Sequence, residues 1–549
     1  MSDSRNHSWY LLLAALGITV LMCISISAVF TGHRLSSGQG ADSVSDTMVS
    51  AESPVEPLPE TTDGEAIRWH IVLPQDYKPE LPYPVVFEYA TGKPQLANLQ
   101  PGQAILASYD AQTDAPLKAF LAEADALNRL EALRKEYHID DERIYLVTAD
   151  LAGLSFAARH ASRFSAAVLQ FTADPAPDAW EELPLRNLDN LEFCLDSSRL
   201  PLPGDSLRKL RDKLESTPWK TPDMMEFPVA PTTSSLPAAL ANLSMTLPLH
   251  LDKLHWQTDS LANGEAWWLR AEGLEKYGEE ATFSGQYEPG NLGMSMLQVD
   301  IKTGNLNAFA IKRTWKDFSE VRTFILNIDG QRVPLPTRPI DPEWCVLRKK
   351  DGTWQPDSAP PPENCKTGAC EGPIARVLQA PFLIVAGTAD SDTAAQWQQS
   401  AQALAAHCHQ FTGQEATVIA DSACTPEVLE GHHLILLGGP RENLLASNIL
   451  DGNPEFLRDI YLLARTSEEH NALPMETPNL CCMTLSPAGI YSPNNLALIV
   501  LADNPADIAE AWRPFFTPLA TQGDFLLFRP RETNPCIIGW CSSTWDISN

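Results

Sequence analysis

At 549 residues the chain is too long for a single hydrophobic core, and three or four structural units are expected. Its 40 Lys and Arg face 70 Asp and Glu, a formal charge of −30, which excludes a nucleic-acid partner in the usual mode, because such binding rests on clustered cations that neutralise phosphates. With 44% apolar residues most of the chain should fold, and 44 prolines leave little room for long coiled coils.

Residues 10–30, YLLLAALGITVLMCISISAVF, form an uncharged run long enough to cross a bilayer as a helix. A cleaved signal is the competing reading, with Ser25 and Ser27 ahead of Ala28 as a small-residue cleavage site. Either way the body is expected outside the cytoplasm: at the cell envelope on a membrane anchor, or secreted if the signal is cut. Residues 36–63 are rich in Ser, Gly, Pro, Thr and acidic side chains and read as a flexible tether.

Structure is expected to begin near Ile67, where IRWHIVLP alternates and PYPVVFEYATG supplies an apolar strand. Phe120, Leu121, Leu127, Leu130, Leu133 and Tyr137 recur at three- and four-residue steps and predict a helix that the polar turn HIDDER stops. A strand at residues 144–150, a tight turn into the small-residue helix LAGLSFAARHASRF, and the strand SAAVLQFTA follow. Strand, helix, strand, turn, helix, strand is an α/β unit with a parallel sheet. From Leu247 onward short aromatic and β-branched segments, separated by Gly, Asn and Asp, predict a small all-β domain of six or seven strands; Asp329-Gly330 marks a hairpin within it. Trp256, Trp267 and Trp268 fit its core with an exposed edge, or a face on which a polysaccharide could stack. A Pro- and Cys-rich stretch then reads as a surface linker. The last region returns to α/β character through PFLIVAGT, AAQWQQSAQALAAHC, ATVIA, HHLILLGG, LALIVLADNPADIAEAWRPFF and DFLLFRP.

In an oxidising compartment Cys365 and Cys370, and Cys536 and Cys541, could close short disulfide loops, although connectivity does not follow from sequence. A zinc site is disfavoured because no second matching ligand pair lies nearby. Gly438, Gly439 and Arg441, between a predicted strand and helix, are a candidate anion site, with a plain glycine turn as the alternative. No cofactor fingerprint is present.

The phrase YHIDDERIYLVTADLAGLSFAARHASRFSAAVLQFT, with the upstream PYPVVFEYATG, resembles the α/β-hydrolase fold of prolyl-oligopeptidase-like and polyhydroxybutyrate-depolymerase-like esterases, over about residues 67–210. AWWLRAEGLEKYGEEATFSGQY and ACEGPIARVLQAPFLIVAGTAD extend the likeness to large secreted bacterial proteins of that type. The expected architecture is α/β multidomain, with a signal or anchor helix (1–33), a tether (34–65), an α/β-hydrolase-like parallel sheet (66–245), an all-β domain (246–336), a linker (337–375) and a C-terminal α/β domain (376–549); for the first sheet the resemblance implies the α/β-hydrolase fold. It also implies a serine on a strained elbow. Asp150 fills that position, Glu88 stands near the implied oxyanion hole, Asp196 lies near the implied acid strand, and no histidine occurs between His160 and His250. Without a general base neither a serine nor an aspartyl ester turns over. The expectation is a catalytically inactive homologue that binds or scaffolds at the envelope, through an envelope protein or polysaccharide. The alternative is an esterase or peptidase with an unconventional set, using Asp150 or Ser155, with His160 the nearest imidazole in sequence.

Overall fold

The computed structural model describes residues 69–91, 96, 103–111, 115–171, 176, 179–196, 205–215, 251–288, 296–315, 318, 321, 323–335, 343–357, 365–413, 415–450, 480–492, 494–530, 535 and 537–547. The chain divides into two units, Met1–Gly64 and Glu65–Asn549, and every described residue belongs to the second. The expected anchor and tether therefore lie outside the described residues. Among the described residues no helix is long and apolar enough to cross a membrane.

Strands β1 (Trp69–Val72), β2 (Tyr83–Ala90), β3 (Ile105–Asp110), β4 (Ile139–Thr148), β5 (Ala166–Gln170) and β6 (Glu192–Asp196) form one sheet in the order β1-β3-β2-β4-β5-β6. Only β1 runs antiparallel to its neighbour. Both faces of β2 are covered, as a central parallel strand requires. Phe87 and Tyr89 pack on Phe156, while Val86 joins Leu106, Tyr145 and Val147 on the opposite face. Helix α1 (Pro116–Glu136) starts on a proline, which suits a first helical position, and buries Leu117, Ala122, Ala126, Leu130 and Leu133 along one stripe. β4 begins five residues earlier than the pattern predicts, because HIDDER is extended: Tyr83 pairs with Ile139 and donates its N–H to His138 O. After β4 come helices α2 (Leu151–Arg159) and, beyond β6, α3 (Asp205–Glu215).

The middle region is a pair of five-stranded sheets. Its strands are β7 (Lys253–Thr258), β8 (Glu265–Ala266), β9 (Leu269–Leu274), β10 (Ala281–Tyr287), β11 (Met296–Gly304), β12 (Leu306–Lys312), β13 (Thr323–Ile328), β14 (Gln331–Leu335), β15 (Trp344–Lys350) and β16 (Thr353–Pro356). The sheets run β14-β13-β11-β10-β7 and β16-β15-β12-β9-β8. Among the described residues these ten strands exceed the six or seven expected, and part of the presumed linker is the hairpin β15–β16. Asp351 and Gly352 both take positive φ (51° and 75°), the same two-residue turn as Asp329-Gly330 (51° and 85°), and β15 pairs along β12. Trp354 anchors the hairpin, its ring 5.1 Å from that of Phe309 and its Nε1 donating to Asp329 Oδ2 at 3.0 Å. Trp256, Trp267 and Trp268 are all buried, so the stacking face expected for a polysaccharide is core instead.

The C-terminal sheet comprises β17 (Phe382–Ala386), β18 (Thr417–Ala420), β19 (His433–Leu437), β20 (Cys481–Pro487), β21 (Leu496–Ala502), β22 (Phe525–Phe528) and β23 (Ile537–Gly539), ordered β18-β17-β19-β21-β20-β22-β23. Its helices are α4 (Ala394–Thr412), α5 (Pro426–Leu429) and α6 (Leu444–Leu450). The run LALIVLADNPADIAEAWRPFF predicts a strand, a turn and a helix, and the helix is replaced by 3₁₀ turns whose first turns contain Pro505, Pro514 and Pro518.

The expected disulfides do not form at Cys365, Cys370 or Cys541, which are free thiols; Cys536 lies outside the described residues. A tight turn separates the first two: Thr367 and Cys370 exchange backbone hydrogen bonds at 3.0 Å, and the Cys370 thiol donates instead to Asn495 O. Cys541 is buried beside an ion pair, Lys366 Nζ to Asp524 at 2.5 Å, in which Lys366 also donates to Cys541 O at 2.8 Å and lies 3.9 Å from the Tyr277 ring centroid. Both charged side chains are fully buried. Asp524→Ala should strand the ammonium and cost about 3–5 kcal/mol, whereas the double change Asp524→Leu with Lys366→Met should cost less; chemical denaturation of both variants checks this.

Candidate functional site

In an open parallel sheet, ligands bind beyond the carboxyl ends of the strands where the strand order reverses. Here the chain leaves β2 toward β3 and returns to β4, so that point lies at Ala90–Thr91 and Thr148–Asp150. The two strand ends are tied together there. Asp150 caps α2, its Oδ1 accepting from Gly153 N–H at 2.9 Å, while its Oδ2 accepts from Thr91 N–H at 3.3 Å and from the Thr91 hydroxyl. The backbone at Asp150 is extended (φ −153°, ψ −175°), an ordinary conformation for a cap and unlike a strained nucleophile turn. Burial raises the Asp150 pKa, and N–H donors from Gly153, Thr91 and Ala152 only partly offset this. The Thr91 N–H, in the loop that would supply an oxyanion donor, is spent on Asp150 itself.

Gly153 is fixed by packing. A Cβ there would lie 1.2 Å from Thr148 Oγ1, so the first turn of α2 rests directly on the end of β4. Glu88 does not face this point. It lies on the opposite side of β2, buried, with its Oε2 accepting from Leu96 N–H at 3.0 Å, so the expected clash with an oxyanion is absent because strand alternation turns the carboxylate away. Asp196 ends β6, and its side chain is outside the described structure.

No described histidine reaches Asp150 or Ser155. His138 lies at the other end of β4 against Pro79 O, and His255 sits in β7, its pKa lowered to about 4 by burial and Arg186. His160 follows α2 and is buried, with Nε2 2.7 Å from Glu123 Oε1. Arg159 Nη1 lies 3.3 Å from Glu123 Oε2. Burial alone would raise the Glu123 pKa, but the His160 hydrogen bond and the charges of His160 and Arg159 outweigh it and hold the carboxyl below its ordinary range.

These groups border a cavity of about 760 Å³ walled by α1, α2, the turn at Ser260–Asn263 and the segment Ala369–Ala380. Ser155 and His160, singled out from sequence, share it; Asp150 does not line it. Glu123 and Arg163 were missed because α1 and α2 meet only in the fold. The loop signal at Gly438, Gly439 and Arg441 gives a turn whose donors are occupied: Asn443 Oδ1 accepts from Leu445 and Ala446 N–H, and Asp421 Oδ2 accepts from Leu444 N–H. His407 packs on Trp512, and no group of three metal-ligating side chains occurs among the described residues.

No family model matches the sequence, and no curated protein matches it. Solved structures do. A thermostable esterase is 18% identical with a TM-score of 0.21, over 27% of this chain and 47% of that one. Esterase 2 of Thermogutta terrifontis, phosphonylated by cyclosarin, is 14% identical with a TM-score of 0.22, over 27% of this chain and 72% of its own. The isopeptidase AtxE2 in its apo form is 16% identical with a TM-score of 0.17, over 21% and 23%. The chain thus spans less than half the length of the first of these. The protein is a mixed α/β, multi-sheet molecule with esterases among its structural neighbours.

Gly153→Ala should destabilise by about 1–3 kcal/mol through overpacking. Adding Thr148→Ala should restore only part of that, since the Thr148 Cβ would still lie 2.4 Å from the new methyl; thermal unfolding of both variants is the check. His433, also on the cavity wall, has its pKa lowered to about 4 by burial and Arg376, and its Nδ1 accepts from Leu496 N–H. Between about pH 6.5 and 4 the unfolded chain takes up this proton and the folded one does not, so stability should fall across that window. His433→Gln should make the fall shallower in denaturation midpoints measured at stepped pH.

Proposed function

We propose that this is an exported, membrane-anchored and catalytically inactive relative of α/β-hydrolases of the prolyl-oligopeptidase and esterase type, acting in binding or scaffolding at the cell envelope. The observation that carries the reading is Asp150: an unstrained N-cap whose two oxygens are engaged by Gly153 and Thr91, with no described histidine beside it. A carboxylate with both oxygens engaged in this way is held as a helix cap, and no described base stands beside it to release an ester. The uncharged run at residues 10–30 supports the anchor, and the cavity beside α2 supports binding.

A second reading, a hydrolase with an unconventional set, has one observation in its favour: Glu123 orients His160 in the cavity that Ser155 also lines. The two residues share no hydrogen bond and stand five positions apart, about 7.5 Å along a helical axis. Turnover of p-nitrophenyl butyrate by the purified chain should be indistinguishable from a buffer blank and from Asp150→Ala. Hydrolysis that Asp150→Ala abolishes would overturn the inactive reading, and hydrolysis that only His160→Ala abolishes would establish the second.

A further inference from the structure

We infer that the cavity beside α2 is a binding site for a small hydroxylated organic anion, with a ligand hydroxyl on His160 Nδ1 and the anionic group on the spare N–H donors of Arg159 and Arg163. This deepens the binding role proposed above and rests on it. The volume of about 760 Å³ falls within the range of small-molecule sites.

The first argument is a ring nitrogen that no described group engages. His160 is only 3% exposed and borders the cavity. Its Nε2 is committed to the Glu123 carboxylate, which leaves Nδ1 for a ligand, and a hydroxyl can bond that nitrogen whether it carries a proton or a lone pair. No described protein group donates to that nitrogen. Ser155 is on the same wall, and its hydroxyl can serve either as donor or acceptor.

The second argument is charge. In a chain with 40 basic and 70 acidic residues, this wall has three arginines (159, 163 and 376) and three carboxylates (Glu123, Glu131 and Asp259), an enrichment in cations over the chain as a whole. Two of the carboxylates are also divided among several cationic or donor groups. Glu123 serves Arg159 and His160, while Glu131 serves Arg163 and Arg134. Arg159 and Arg163 each spend a single N–H, on Glu123 and Glu131, out of the five a guanidinium carries. The remaining donors suit a carboxylate or a phosphate ester, both of which a planar fork can grip through two oxygens.

Isothermal titration of the full chain in detergent with citrate, with glycerol 3-phosphate and with acetate tests this. Saturable one-to-one binding of citrate or glycerol 3-phosphate is expected, with acetate much weaker for want of a hydroxyl, and the better of the two names the anionic group. Arg163→Ala, at a half-exposed position that should not disturb folding, should weaken binding by about tenfold, as should His160→Gln. Binding of none of the probes by the wild-type chain, or equal affinity in wild type and Arg163→Ala, overturns the proposal. Either result leaves the ester assay at Asp150 untouched, so the two readings fail separately.

Discussion

A carboxylate withdrawn from water must be met by donors, and Glu371 meets that demand through a turn more than a hundred residues away. It is buried, and its oxygens accept from Ser260 Oγ at 2.5 Å, Leu261 N–H at 3.0 Å and Ala262 N–H at 2.9 Å, with Arg376 Nη1 3.4 Å away. Burial pushes its pKa up despite those donors and the guanidinium. The donors belong to the turn after β7, and the acceptor to the segment leading into the C-terminal sheet, so neither side is satisfied unless the two are docked. Ser260, Ala262 and Arg376 then form part of the cavity wall. The Lys366–Asp524 pair reinforces the same junction, and Gly372 leaves room for it: a Cβ there would come 1.8 Å from Asp524 Oδ1. Removing one partner of such a pair leaves the other charge stranded, so the geometry of the cavity is held by desolvation as much as by attraction.

The remaining side of the cavity is set in the same way. Asn187 exchanges hydrogen bonds with Gln257, and Asn190 donates to His255 O, which fastens the parallel sheet to the β7 edge of the sandwich. At the end of β4 Asp150 is a further carboxylate whose donors decide its role. Aspartate is among the best N-cap residues, because its oxygen accepts an otherwise unpaired N–H of the first turn. A nucleophile needs the opposite, an exposed atom on a strained turn facing free donors. Asp150 takes the relaxed backbone and consumes the nearby N–H groups, so the fold gains a stable strand-to-helix junction at the place where a hydrolase would keep a reactive one.

What was legible in the sequence follows from which interactions are local. The stripe of α1, the apolar core of β2 and the Asp329-Gly330 turn each depend on neighbours a few residues apart, and each is found where the pattern puts it. Asp351-Gly352 carried the same hairpin signal, and was hidden by the prolines and cysteines around it. The helix expected after β21 is absent, because the apolar spacing of its residues competes with prolines at 505, 514 and 518. The cavity was not legible. Glu123 and His160 stand 37 positions apart, on elements that touch only after β4 has been threaded between them. Cysteine spacing misled for a related reason: a short loop makes a disulfide easy to close in entropy, yet the Thr367–Cys370 turn and the burial of Cys541 direct those thiols elsewhere.

The charge of −30 bears on the cavity in a way that composition alone does not disclose. A strongly acidic surface repels small anions at a distance, and salt shortens that repulsion to about 8–10 Å at physiological strength. The attraction inside the cavity acts at hydrogen-bonding range, through guanidinium groups that lie partly out of water, and is screened far less. Raising the ionic strength therefore weakens the opposing field before it weakens the binding contacts. An anion site in so acidic a chain should lose little affinity with moderate salt, whereas an adventitious ion drawn to surface arginines would lose it steeply. The disposition of Arg159 and Arg163 over two shared carboxylates makes the distinction physical: the site is selected by local geometry, against the sign of the molecule that carries it.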